Sequence, residues 1–266
     1  MLRVLTAAGL LALSVGSAQV ISSIPALADD GDKLPLFLQR PVDITAQDPS
    51  TPGFLWQGAG SPATNFLRKR NLNAGVELAI KAVVRQGPDL PPTYVDSKGI
   101  VHVEVPAGPQ PGNPARAAWN FTFSYDAALP GASPTLDNYD AELWIDLDPS
   151  KRTKYLKLKL ARTGTPPCAG PEPDCNGWGW KSGNTFVIPD DEGTQRVTQN
   201  SQNYAFYQSL IPNYAPNFGP AEFDVVMKMR KKGGKHHNDD NDDDDNDDDN
   251  STTVHVVFNV VSAPTP

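Results

Sequence analysis

The stretch Trp119-Asn-Phe-Thr-Phe-Ser-Tyr125 alternates without a break between aromatic and polar side chains. Successive side chains of a strand point to opposite faces, so a period of two puts the rings on one side and Asn120, Thr122 and Ser124 on the other. A helix would scatter the same rings around its circumference. The segment therefore reads as a strand with one face in a core, and side chains of this size dominate the burial of such a core.

The same period recurs along the chain. From Gly75 to Arg85, residues Val76, Leu78, Ile80, Ala82 and Val84 share a face, although Ala, Glu, Leu and Lys also favour helices. Further alternating runs are Ile100 to Val105, Ala141 to Asp148, Lys154 to Leu160, Glu222 to Arg230 and Thr252 to Val261, with a short strand at Thr185 to Ile188. Ala141, Leu143, Ile145 and Leu147 go inward on one run; Leu156, Leu158 and Leu160 go inward on the next, with lysines outward. The 26 prolines and 21 glycines fall largely between these runs and mark turns. Residues 193–218 carry no clear period and read as a loop or one helical turn, then a strand or coil. Turn-punctuated strands of this length predict an all-β fold, an antiparallel two-sheet sandwich of about seven or eight strands.

The ends and linkers set the compartment. Arg3, an apolar run from Val4 to Val15 and Ala26-Leu27-Ala28 make a secretory signal peptide over residues 1–28. Its apolar run is too short to span a bilayer, and no later segment reaches the roughly 18 apolar residues a span needs. Residues 29–69 are rich in Pro, Asp, Gln and Ser and read as an irregular arm with scattered apolar residues such as Phe37, Phe54 and Trp56. The β-domain is expected over residues 70–262. In an exported chain the two cysteines, Cys168 and Cys175, are expected to form a local disulfide.

Between the last two strands lies the most acidic run in the chain, Asn238 to Asn250, with nine aspartates in thirteen residues. The formal charge of −8 becomes −9 without Arg3 and zero without those nine aspartates, so the acidity is one loop. Carboxylates and amide carbonyls are hard oxygen ligands that Ca²⁺ accepts six to eight at a time. Asp239, Asp240, Asp242, Asp243, Asp244, Asp245, Asp247, Asp248 and Asp249 are therefore candidate ligands for weak Ca²⁺ binding, within a loop (236–250) expected to be solvated and self-repelling. The EF-hand pattern is absent, with no Gly at the sixth position and no terminal Glu. His236 and His237, beside the carboxylates, are a weaker candidate for Zn²⁺ or Ni²⁺.

Catalytic signals are thin. Asp146 and Asp148 form a carboxylate pair, but glycosidase carboxylates flank a sugar at about 5 to 9.5 Å and normally lie on different elements. They read instead as a strand face leading into an Asp-Pro turn, and His102 with Glu104 reads the same way. There is no G-x-S-x-G, H-E-x-x-H or phosphate loop. No catalytic residue and no required cofactor is assigned, and the chain reads as non-enzymatic. Nucleic acid is not an expected partner, because the basic cluster Arg230 to Lys235 adjoins its own counter-charge. Trp178 and Trp180, with Trp144, are candidates for stacking on a sugar ring, against the alternative that they cap one end of the sandwich. Asn120-Phe-Thr122 and Asn250-Ser-Thr252 match glycosylation acceptors.

Read together, Val76 to Lys81, Ala118 to Ser124, Ala141 to Pro149, Thr198 to Phe206 and the closing hairpin resemble a group of exported bacterial proteins of unknown function that often carry a PEP-CTERM sorting tail. The likeness spans residues 70–262 in order and implies no catalytic residues. Ser262 to Pro266 lack the Val-Pro-Glu-Pro motif, membrane helix and basic tail of that group, so free secretion, extracellular or periplasmic, is expected over surface sorting. The function expected is that of an extracellular or cell-surface protein with divalent cations, extracellular glycan or matrix as partners; the alternative is a carbohydrate-binding or adhesive module.

Overall fold

The computed structural model describes residues 66–71, 73–85, 87–127, 135–164, 177–188, 192–193, 195–216, 218–233 and 250–261. Chain contacts divide Met1–Lys33 from Leu34–Pro266, and every described residue belongs to the second unit. The signal segment, the arm up to residue 65, Cys168, Cys175 and the aspartates of the acidic run lie outside the described residues.

Sixteen strands follow in chain order: β1 (Leu67–Asn71), β2 (Val76–Val84), β3 (Asp89–Leu90), β4 (Tyr94–Val95), β5 (Val101–Pro106), β6 (Pro109–Gln110), β7 (Asn113–Ala117), β8 (Trp119–Asp126), β9 (Tyr139–Asp146), β10 (Tyr155–Arg162), β11 (Trp178–Ser182), β12 (Thr185–Ile188), β13 (Glu192–Gly193), β14 (Val197–Gln202), β15 (Ala221–Lys231) and β16 (Ser251–Val261). Single 3-10 turns stand at Leu136–Asn138 and Tyr204–Tyr207. One sheet has six strands, in the order β1-β2-β8-β14-β13 with β3 added to β2. A second has eight, in the order β12-β11-β10-β9-β15-β16-β5-β4, and β6 pairs with β7 alone.

The all-β class holds, with two corrections. Several strands are only two residues long, so the count is well above seven or eight. The second sheet is also mixed, because β5 runs parallel to β16 in the register Val101↔Val256 to Pro106↔Val261. Both strands are Val-rich and alternating, and side-chain alternation carries no information on whether a partner runs parallel or antiparallel.

The two sheets face one another across one core. Phe121 of β8 lies 6.0 Å from Phe258 of β16, and Trp119 lies 6.5 Å from Phe223 of β15. Phe123 meets Trp180 of β11 edge-on at 5.7 Å. The inward residues read from the alternation are the ones in this core: Val76, Leu78, Ile80, Ala82, Phe121, Phe123, Tyr125, Ala141, Leu143 and Ile145. Val84 is only half-buried at the end of its strand.

The far face of the six-stranded sheet departs from expectation. An antiparallel sheet packed on one core commonly leaves its other face to water. Here Glu77, Ala79, Lys81 and Val83 of β2, Asn120, Thr122, Ser124 and Asp126 of β8, and Val197 and Gln199 of β14 are all buried. Phe66 packs on Ala79 and lies under the Lys81 ammonium. Glu77 accepts from both Arg68 and Arg70. The Ser124 hydroxyl and both amide atoms of Gln199 are buried without a hydrogen bond.

Strand β14, unmarked by any apolar period, forms because it adds to β8 over six consecutive pairs, Val197↔Asp126 to Gln202↔Phe121. The one turn follows the strand instead of preceding it. Asn203 begins that turn by accepting from the Ala205 N–H, and its amide donates to the carbonyls of Ala117 and Trp119 and to Asn120 Oδ1.

Candidate binding face

Of the polar and aromatic groups that the sequence singles out, Trp144 and Asp146 lie on the outer face of the eight-stranded sheet. Strand alternation puts Glu142, Trp144 and Asp146 of β9, Tyr155, Lys157 and Lys159 of β10, Asp224 and Lys228 of β15 and His255 of β16 on this side. Register then fixes their neighbours. Lys157 stands directly opposite Trp144, and Lys159 opposite Glu142. On the other flank Lys228 pairs with Glu142 and Val226 with Trp144.

Trp144 is half-buried, with an ammonium held over its ring from each neighbouring strand. Lys157 Nζ is 3.8 Å and Lys228 Nζ 4.1 Å from the ring centroid, and Tyr155 lies 5.6 Å away at a tilt. The indole Nε1 donates to Glu142 Oε2 at 2.9 Å, while Lys159 reaches Glu142 Oε1 at 3.4 Å. Glu142 is thus engaged twice. Among the described residues, neither Lys157 nor Lys228 forms an ion pair. An ammonium over the indole face is attracted to the ring quadrupole, by about 0.5–1 kcal/mol at exposed sites.

Lower on the face lies a group of buried acids. Asp146 is 1% exposed, and its Oδ1 accepts from the backbone N–H groups of Asp148 and Lys154, closing the turn between β9 and β10. Burial pushes its carboxyl above the usual range, opposed by those two hydrogen bonds, with the nearby Asp224 charge adding to the rise. Asp224 accepts from the Tyr155 hydroxyl at 3.2 Å and faces His255 Nε2 at 3.6 Å. Its second oxygen is buried without a hydrogen bond. Burial, then the Asp224 charge and hydrogen bond, push the Tyr155 phenol well up.

At the parallel edge His102 stacks on Tyr94, with centroids 4.3 Å apart, meets Asp96 at 3.6 Å, and has Asn259 3.3 Å from its Nδ1. Glu104 is exposed and takes no part. Tyr94, Asp96 and Asn259 thus surround His102.

Asp146 and Asp148, read as companions on one solvated strand face, do not act alike. The first is buried and caps a turn; the second lies beyond the strand end and accepts from Ser150 N–H. The proposed sugar platform at Trp178 and Trp180 is corrected by burial. Their rings are 4% and 0% exposed, Trp180 packs 4.7 Å from Tyr125, and the Arg162 guanidinium covers Trp178 at 3.9 Å. A strand at Trp178–Ser182, turned through Gly183 at φ +58° into β12, carries both indoles into the core. Gly tolerates that left-handed backbone without steric cost.

Among the described residues, Trp144 is the tryptophan left at the surface. What the sequence could not supply was its lysine clamp, because alternation gives the side of a residue and register gives its neighbour. Among the described residues, no group of three or more His, Cys, Asp or Glu is placed to hold a metal ion. Nor is any described helix long and apolar enough to cross a membrane. A small apolar crevice between Trp119, Tyr204, Tyr214 and Phe218 has room for about one water.

The fold and this face define an all-β protein of two open sheets with a charged, aromatic outer surface. No protein-family model, no curated protein and no solved structure matches the chain.

Proposed function

We propose that this chain is a secreted, non-enzymatic β-sandwich of the cell exterior that binds Ca²⁺ weakly through its aspartate-rich connection. The observation that supports this is the way the last hairpin closes. β15 and β16 pair in unbroken register from Ala221↔Val260 to Arg230↔Ser251, and Lys231 N–H donates to Asn250 O at 2.9 Å. The acidic run is therefore attached at a finished hairpin end, where added chain costs the sheet nothing. Carboxylates and amide carbonyls are hard oxygen ligands of the kind Ca²⁺ takes, and extracellular modules bind it at about 10⁻⁴–10⁻³ M.

The test is a calorimetric Ca²⁺ titration, with thermal melting, of the mature protein with and without residues 236–250. Heat and Ca²⁺-dependent melting that vanish on deletion support the reading. The same heat after deletion overturns it.

A second reading, a carbohydrate-binding or adhesive module, draws on Trp144. With Trp178 and Trp180 in the core, that indole and its lysines are a surface group, among the described residues, suited to a glycan. A glycan array of the wild type and Trp144→Ala tests it, and unchanged binding in the variant removes this face from the reading.

A further inference from the structure

We infer that the Trp144 face binds an acidic polysaccharide, through carboxylate or sulfate groups that pair with Lys157 and Lys228. This rests on the second reading above and gives it a ligand class. Both ammonium groups lie over the indole, which leaves Trp144 better placed to hold the lysines than to stack on a bare sugar ring. Long lysine side chains are mobile in general, and ordering them is part of what binding costs. Here both ammonium groups already lie against the ring.

Charge points the same way. Glu142 is satisfied by the indole N–H and by Lys159, and Arg230 is matched by Asp140 at 3.4 Å. Neither Lys157 nor Lys228 has a carboxylate partner among the described residues. They stand on β10 and β15 with β9 between them, and with Nζ atoms 3.8 and 4.1 Å from one ring centroid they are no more than 7.9 Å apart. A polymer with one anionic group per sugar can meet both.

Affinity electrophoresis of the intact mature protein tests this with polygalacturonate, a neutral dextran and poly-aspartate as probes, at low and high salt. The variant is Lys157→Ala/Lys228→Ala, whose side chains lie on the solvent side, with its melting temperature measured alongside. The expected result is retardation by polygalacturonate alone, weakened about tenfold in the double variant at unchanged melting temperature and lost at high salt. Equal retardation by poly-aspartate overturns the carbohydrate assignment. Binding to dextran that the lysine variant keeps overturns the anionic assignment while the glycan reading stands. Retardation by none of the three, with an array that is also blank, removes both.

Discussion

Lys81 donates to Asp89 Oδ1 at 2.8 Å with 1% and 7% of the two side chains exposed, an ion pair closed off from water on the far face of the six-stranded sheet. Burial lowers the lysine's pKa and the Asp89 hydrogen bond resists that fall. Removing one partner leaves the other charge buried without it, whereas replacing both with apolar groups of similar volume is often neutral. Lys81→Ala is expected to cost about 3 kcal/mol or more, and Lys81→Met/Asp89→Leu far less. Urea midpoints of the two variants decide it; equal losses would refute the distinction.

Asp146 makes a pH prediction. Its folded pKa is raised, so its protonated form is favoured by folding. That contribution is fully present below the unfolded value of about 3.9 and lost as pH rises through the raised folded value. Asp146→Asn keeps the acceptor for Lys154 and Asp148 and discards the buried charge. We expect it to be at least as stable as the wild type at pH 7 and to flatten the pH dependence above pH 4. Asp146→Ala, which removes the acceptor, should lose about 1–3 kcal/mol. Denaturant unfolding across pH 4 to 7 measures both.

Asn203 is fully buried and its amide makes five hydrogen bonds, to Ala117 N–H and O, Trp119 O, Asn120 Oδ1 and Ala205 N–H. Asn203→Asp turns the donating end into an acceptor facing three oxygens. It should destabilise more at pH 7 than at pH 4, where protonation restores a donor. A loss that does not vary with pH would contradict that network.

Trp180 has the opposite character. Its Nε1 is buried without a hydrogen bond, so the ring acts by volume. Trp180→Ala should cost about 3–5 kcal/mol and Trp180→Phe clearly less. Near-ultraviolet circular dichroism with thermal melting separates the two, and neither change should alter glycan binding.

Much of this architecture is legible in side-chain period. β2, β5, β8, β9, β10, β12, β15 and β16 fall within a few residues of the alternating runs, because each has an apolar face against one core. β14 escapes because Val197 to Gln202 is polar, and its place comes from pairing with β8. β11 escapes because Trp178-Gly-Trp180 sits in a Gly- and Pro-rich setting that reads as loop. The polar residues of β2 and β8 look solvated in sequence and are buried in the fold, since period reports which side a residue takes and not what covers that side. The clamp over Trp144 is hidden for a related reason. It needs β10 and β15 on either flank of β9, a matter of strand order.

The parallel pairing of β5 with β16 has a consequence for how the molecule assembles. β16 lies between β15, its neighbour in sequence, and β5, about 150 residues earlier. Without Val256 to Val261, the eight-stranded sheet would be two unjoined pieces, β5 with β4 on one side and β12, β11, β10, β9 and β15 on the other. Contacts this distant in sequence fold slowly, since the loop must close before pairing rewards it. The last strand is thus the keystone of the eight-stranded sheet, which nearly the whole chain must be made to complete, whereas the six-stranded sheet needs no strand beyond Gln202.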